Sequence, residues 1–273
     1  LHPREALNGL AHWRLHLTIL AFTFLVFPLV GLALRPIVEP TIGHDLYTGL
    51  LYLTLVPSTV QSSIAFTSIA RGNVPGAIVS ASASNLIGVV LTPLLVVALM
   101  SGTNGVHITA SSVVEILLQI LVPFIGGQLC RPLVTPFLKR YAEPTKFVDR
   151  ASIVLVVYAA FSEGVRNGIW SIVSAWQVVA VAVIATVLVI VMLALTWWSA
   201  RRLGFNRADA IAIQFCGTKK SLATGLPMAT VLFGGSVVGL IVLPLMIFHQ
   251  IQLILCSWLA TRYSRTHDAV DAA

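Results

Sequence analysis

Ala-Ile-Ala-Ile-Gln-Phe-Cys-Gly-Thr-Lys-Lys-Ser-Leu-Ala-Thr-Gly-Leu-Pro-Met-Ala (residues 210–229) sets two adjacent lysines, Lys219 and Lys220, in the middle of an apolar segment. The chain around it is apolar too: 57% of its 273 residues are hydrophobic and 10% are charged, where a soluble domain carries about 25% charged residues. Apolar runs of about 20 residues, the length that spans a bilayer, recur along it. The fold class is therefore an all-α polytopic membrane protein; the alternating pattern of a membrane β-barrel is missing. A lysine near the bilayer centre costs roughly 2.5–3.5 kcal/mol on insertion scales, so it needs a partner, a water-filled cavity or a job. Gly217, Gly225 and Pro227 flank the pair and weaken the helix around it. Charge and a helix break at membrane depth point to a transport site.

Working outward, the chain reads as eight spans, A to H, at about 15–34, 46–70, 74–100, 112–130, 151–169, 176–199, 208–232 and 236–261. With both termini in the cytoplasm, the inside segments hold Arg4, Arg14, Arg71, Arg131, Lys139, Arg140, Lys146, Arg150, Arg201, Arg202, Arg207, Arg262 and Arg265. The outside segments hold Arg35 and Arg166, and the remaining two of the 17 basic residues are the buried pair. This asymmetry predicts an inner-membrane, multi-pass protein with both termini cytoplasmic. It also accounts for the net charge of +7 as a topology signal, and a nucleic-acid partner is not expected. Cys130, Cys216 and Cys256 are lone thiols with no disulfide or CxxC spacing.

Span B repeats the oddity of span G. Its middle reads Pro57-Ser-Thr-Val-Gln-Ser-Ser (57–63), a polar patch behind a helix-breaking proline, and span C continues with Ser80, Ser82, Ser84 and Asn85. Polar side chains this dense at membrane depth must face protein or water. Spans B and G lie five positions apart, so they cross the membrane in opposite directions, as in an inverted repeat whose discontinuous helices meet near the midplane. The expected organisation is one transmembrane domain, 1–273, in which 112–261 forms a five-helix repeat and 15–100 the remainder of another. On this arithmetic two further spans precede span A in a ten-span protein.

The segment Pro57-Ser-Thr-Val-Gln-Ser-Ser-Ile-Ala-Phe-Thr-Ser-Ile-Ala-Arg-Gly-Asn-Val-Pro-Gly-Ala resembles the bile acid:sodium symporter family. So do Ser80-Ala-Ser-Ala-Ser-Asn, Leu91-Thr-Pro-Leu-Leu, Phe215-Cys-Gly-Thr-Lys-Lys-Ser-Leu-Ala and Pro244-Leu-Met-Ile-Phe-His-Gln-Ile-Gln-Leu. The resemblance implies ten helices in two inverted five-helix repeats, with the fourth and ninth unwound where they cross. In sodium-coupled members a Ser-Asn pair on the first crossing helix supplies sodium ligands; Ser62 and Ser63 fall there. Hydroxyls on the next helix contribute too, where Ser82, Ser84 and Asn85 fall. This implies Ser62, Ser63 and Asn85 as the set for any sodium ion.

On the second crossing helix this chain departs from the family. Phe215 stands at a Glu position and Lys219 at a Gln position, and a third-helix Gln falls near Thr23. Two ammonium groups repel a cation; at about 4 Å like charges cost about 4 kcal/mol at an effective dielectric near 20. A lysine ammonium in the sodium position, donating to the same oxygens, would weaken or remove sodium coupling and leave a proton as the coupling ion.

The candidate substrate and ion residues are therefore Thr23, Gln61, Ser62, Ser63, Ser82, Ser84, Asn85, Thr218, Lys219, Lys220 and Ser221. Glu163, His249 and Gln250 are candidate gate or relay residues. For Glu163, one turn from Arg166, an interfacial ion pair is the ordinary alternative; for His249 it is a hydrogen-bonded packing role. Serines between membrane helices also serve plain packing. No HExxH, GxSxG or Walker A pattern occurs, so no enzyme is expected. The reading is a secondary transporter of an organic anion, bile-acid-like or another carboxylate or sulfonate, working by alternating access. The alternatives are a non-transporting regulator or sensor on the same fold, or a channel. No cofactor is expected beyond a coupling ion, sodium or a proton. The partners are a small organic anion and the lipid bilayer.

Overall fold

Apolar runs this long bury their backbone polar groups by forming helices. In the computed structural model, residues 12–100, 173–233 and 238–271 are described, with scattered positions between 118 and 168. Every regular element among them is helical. The first, α1 (Trp13–Ala33), widens into a π-type turn at Phe22–Val26, where the Phe27 N–H reaches Phe22 O. Pro28 explains the widening, because it has no N–H for the next rung. The Thr23 carbonyl loses its partner in either register, a point that matters below. A short helix, α2 (Arg35–Ile42), follows and carries an Arg35–Glu39 ion pair at 2.7 Å.

Helix α3 (His44–Leu55) stops before Pro57, and α4 (Val60–Ile69) resumes at a bend of 64°. Val56 is extended there, as a residue ahead of proline should be. Next comes α5 (Val74–Met100), then α6 (Ala175–Arg202), which starts with a Ser174–Gln177 capping box. The second broken pair is α7 (Arg207–Thr218) and α8 (Leu222–Leu232), and α9 (Val238–Asp271) ends the described chain.

Among the described residues four helices are long and apolar enough to cross a membrane, α1, α5, α6 and α9, and the bent pair α3–α4 makes a fifth if it is counted as one span. Their outward faces carry exposed apolar side chains, such as Leu86, Val90 and Leu94 on α5 and Val179, Val183 and Val187 on α6. Such faces suit lipid. Spans A, C, F and H thus appear as single helices, and B and G as interrupted ones. Spans D and E fall largely outside the described residues, as do Glu163 and the span count that depends on them.

The core is built around α3, whose twelve residues are nearly all buried, as expected of a helix with neighbours on every side. It packs on α9 so closely that a Cβ on Gly49 would lie 2.5 Å from Ile241 O. At the other end, Asn73 closes the α4–α5 turn onto the start of α7. Its N–H bonds Ala208 O at 2.9 Å and its amide bonds Asp209 Oδ1 at 2.6 Å. Arg71, at φ 55°, makes this turn. We expect Gly49→Ala to destabilise the protein by roughly 1–3 kcal/mol through overpacking, read as a lower midpoint of thermal unfolding in detergent. An unchanged midpoint would contradict the α3–α9 contact.

Candidate functional site

The two helix breaks touch. Ser221 N donates to Pro57 O at 2.8 Å, and Ser58 Oγ donates to Cys216 O at 2.7 Å. Both bonds use carbonyls that broken helices leave without intrahelical partners. Lys219 is extended (φ −81°, ψ 150°), so successive side chains point in opposite directions, as along a strand. The lysines therefore diverge, rather than standing about 100° apart as helical neighbours would.

Lys220 is fully buried, and its Nζ donates to Thr23 O (2.8 Å), Thr54 O (2.7 Å) and Val56 O (2.9 Å). Three donors meet three acceptors, which is the full hydrogen-bonding capacity of an ammonium group. Each carbonyl is free for a local reason. Thr23 O is orphaned by Pro28 and the wide turn in α1; Thr54 O and Val56 O lie at the open C-terminal end of α3, where the helix dipole favours a cation. The Phe27 ring lies 4.4 Å from the same Nζ. Behind the ammonium, Gln252 clamps the Lys220 main chain: N–H to Oε1 at 2.9 Å and Nε2 to O at 2.7 Å.

Lys219 is equally buried, but its Nζ has no hydrogen-bond partner and sits 3.7 Å from the centre of the Phe66 ring. A buried cation on an aromatic face gains about 2 kcal/mol, less than the several kcal/mol that its desolvation costs. The buried carboxylate of Asp209 does not serve it. Asp209 is bonded to Asn73 and Asn206 and stands ten residues away along α7, about 15 Å by helical rise.

Around the lysines, the expected polar residues separate into groups. Ser84 Oγ accepts from Ser58 N at 3.1 Å, and Asn85 Nδ2 donates to Ser58 O at 2.6 Å. Asn85 Oδ1 accepts from Thr224 Oγ1 at 2.8 Å, tying α5 to α8. Ser63 Oγ lies 3.5 Å from Ser58 Oγ, and Thr218 Oγ1 lies 3.2 Å from Thr196 Oγ1. Ser221 caps α8 by accepting from Thr224 N. Thr23 joins the site through its carbonyl, while its hydroxyl bonds Ile19 O within α1. Thr59 Oγ1 and Ser62 Oγ are buried without a partner near the start of α4. Gln61 and Ser82 stand exposed, away from these contacts, and so does Gln250. His249 Nδ1 lies 2.8 Å from Gln252 Nε2 and 3.3 Å from Lys220 O.

For sodium, the implied set fits poorly. Asn85 Oδ1 already accepts from Thr224 Oγ1, and the oxygens that do converge, from Thr23, Thr54 and Val56, surround Lys220 Nζ. Among the described residues no cluster of His, Cys, Asp or Glu could hold a metal ion.

Sequence reasoning named His249 and Gln250 as candidates and left out Gln252. Helical phase could have found it: Gln252 is three residues from His249 and shares its face, whereas Gln250 does not. Ser58 and Thr224 were missed as well, although both border the breaks.

The chain that builds this crossing has relatives. The family model described as the SBF-like CPA transporter family (DUF4137) matches residues 1–265. The chain belongs to this family. An uncharacterised protein of Pseudomonas aeruginosa is 51% identical over the whole chain and 82% of its own length. YfeH of Escherichia coli (strain K12), a provisionally named symporter, is 47% identical over 98% of this chain and 81% of its own. Sodium/bile acid cotransporter 7 of Danio rerio is 30% identical over 94% of this chain and 77% of its own. The resemblance to bile acid:sodium symporters therefore holds. The chain is a multi-pass membrane transporter of the sodium/bile acid symporter type and not an enzyme.

The two lysines should respond oppositely to loss of charge. Lys220→Met strands three buried carbonyls and should cost about 3–5 kcal/mol. Lys219→Met removes an unpaired buried amine and should be neutral or stabilising. Denaturant unfolding in detergent distinguishes them; equal losses would contradict the geometry.

Proposed function

We propose that the protein moves an organic anion by alternating access at the crossing of its two broken helices, with the Lys220 ammonium as a built-in cation in place of sodium. The observation that carries this reading is the three-carbonyl cage at 2.7–2.9 Å around Lys220 Nζ. An alkali cation would require the same kind of oxygens, and a tethered ammonium fills them without an ion from solution.

The dipoles at the breaks then divide by sign. The C-terminal end of α3 faces Lys220, while the N-terminal ends of α4 and α8 are left to favour negative charge. An anionic substrate, a carboxylate or sulfonate, suits that remainder together with the unpaired Lys219 amine. Lys219, lacking an acceptor, is the group proposed to exchange a proton during the cycle. The substrate is proposed to meet Ser62, Ser63, Asn85 and Ser221, which border the same crossing.

The proposed setting is the inner membrane with both termini cytoplasmic. Arg14 reaches Leu203 O and Arg207 reaches Tyr263 O, so basic ends of α1, α6, α7 and α9 gather on one side. The positive-inside rule makes that side cytoplasmic.

Proteoliposomes test the proposal. Uptake of an organic anion such as taurocholate should proceed equally with and without a sodium gradient, and strict dependence on sodium would overturn the reading. Lys220→Ala vacates the cage, so added sodium chloride should raise the thermal stability of that variant but not of the native protein, relative to choline chloride. Equal responses would mean that the cage is not a cation position.

A further inference from the structure

A cavity of about 890 Å³ opens along the arginine-rich end of α9, lined there by Ser257, Trp258, Arg262 and Arg265 among others, and on α4 by Phe66. Arg262 lies 5.5 Å from the centre of the Trp258 ring. Phe66 belongs to two environments: it lines this cavity, and its ring carries the Lys219 amine at 3.7 Å. Lys219 itself is fully buried and its Nζ has no acceptor. One aromatic ring therefore separates an open, cationic cavity from a buried cation with unused donors.

We propose that this cavity is the cytoplasmic mouth of the route taken by a soluble organic anion and that Phe66 is its inner door. Arg262 and Arg265 draw the anion in, Trp258 and Phe66 meet its apolar body, and displacement of the Phe66 ring exposes Lys219 as the counter-charge. The inference rests on the reading of the chain as an anion transporter and adds a route and a specificity-determining residue to it. The chemistry is that of a carboxylate or sulfonate with an apolar body: two guanidinium groups recognise the charged end, and aromatic rings suit the rest.

Thiol chemistry tests the route without a known substrate. Cys256 is buried on α9 in the core against which Phe66 packs, so it reports access behind the ring. The exposed Cys130 is first replaced by Cys130→Ser in the full chain, held in neutral detergent. The anionic reagent sulfonatoethyl methanethiosulfonate should label Cys256 about tenfold or more faster in Phe66→Ala than with Phe66 in place, read by mass spectrometry. In that background Arg262→Gln with Arg265→Gln, or Lys219→Met alone, should slow the anionic reagent about tenfold. The cationic trimethylammonium analogue should not be slowed. Phe66→Leu, which keeps bulk but loses the ring face, serves if Phe66→Ala does not fold. Ser257→Cys gives a measure with Phe66 intact: it should prefer the anionic reagent, and the arginine substitutions should abolish the preference.

Equal labelling of Cys256 with and without the ring, or no preference for charge, would overturn the proposal. So would loss of the charge preference on adding phosphatidylglycerol, because the arginines would then hold a lipid headgroup. Labelling requires no transport. Sodium-dependent uptake would defeat the cation-replacement reading and leave this route standing, and failed labelling would do the reverse.

Discussion

An ammonium group held by three main-chain carbonyls at the centre of the bundle is the interaction on which the rest depends. Lys220 draws its acceptors from two elements, Thr23 of α1 and Thr54 and Val56 at the end of α3, and supplies the donor from the α7–α8 break. A broken helix in lipid is tolerated only if its freed polar groups find partners inside the protein. Here each break supplies part of what the other lacks. The α3–α4 break offers carbonyls, and the α7–α8 break offers Lys220 Nζ and Ser221 N–H. Neither interruption would be stable alone.

The same economy explains why Lys219 stands apart. Extended backbone at the break sends neighbouring side chains to opposite sides, so the pair cannot share one cage. Lys220 takes the carbonyl-rich side; Lys219 is left with the face of Phe66 and no acceptor. Two residues of identical chemistry thus acquire different physical roles. One amine is enclosed by carbonyls, and the other keeps unmet hydrogen-bonding capacity.

Much of this was legible in residue types. Apolar length gave the membrane class and the positions of α1, α5, α6 and α9. Pro57 marked the α3–α4 break, and charge with flanking glycine and proline marked the α7–α8 break. What was not legible was carried by the main chain. Side-chain reasoning looked for hydroxyl and amide ligands in Ser62, Ser63 and Asn85, whereas the acceptors that converge are carbonyls with no sequence identity of their own. Thr23 was anticipated at a family glutamine position; it contributes because Pro28 strips its carbonyl of a partner. Gln61, Ser82 and Gln250 stand exposed rather than in the hydrogen-bonded crossing, because a polar residue in an apolar helix reveals little about its angle round the axis until the neighbouring helices are placed.

The turn at Asn73 has a mechanical consequence. Asn73, just past α4, is bonded to the start of α7 through Ala208 and Asp209, while Ser58, just before α4, is bonded to the end of α7 through Cys216. Helices α4 and α7 are therefore pinned at both ends, like two rungs closed into a frame. Swinging one away from the other requires both pins to fail together, so a low-cost change of shape leaves this frame intact and turns about its corners. The Pro57 and Lys219 breaks are two such corners, which makes the places where the chain gives up regular hydrogen bonding its natural pivots.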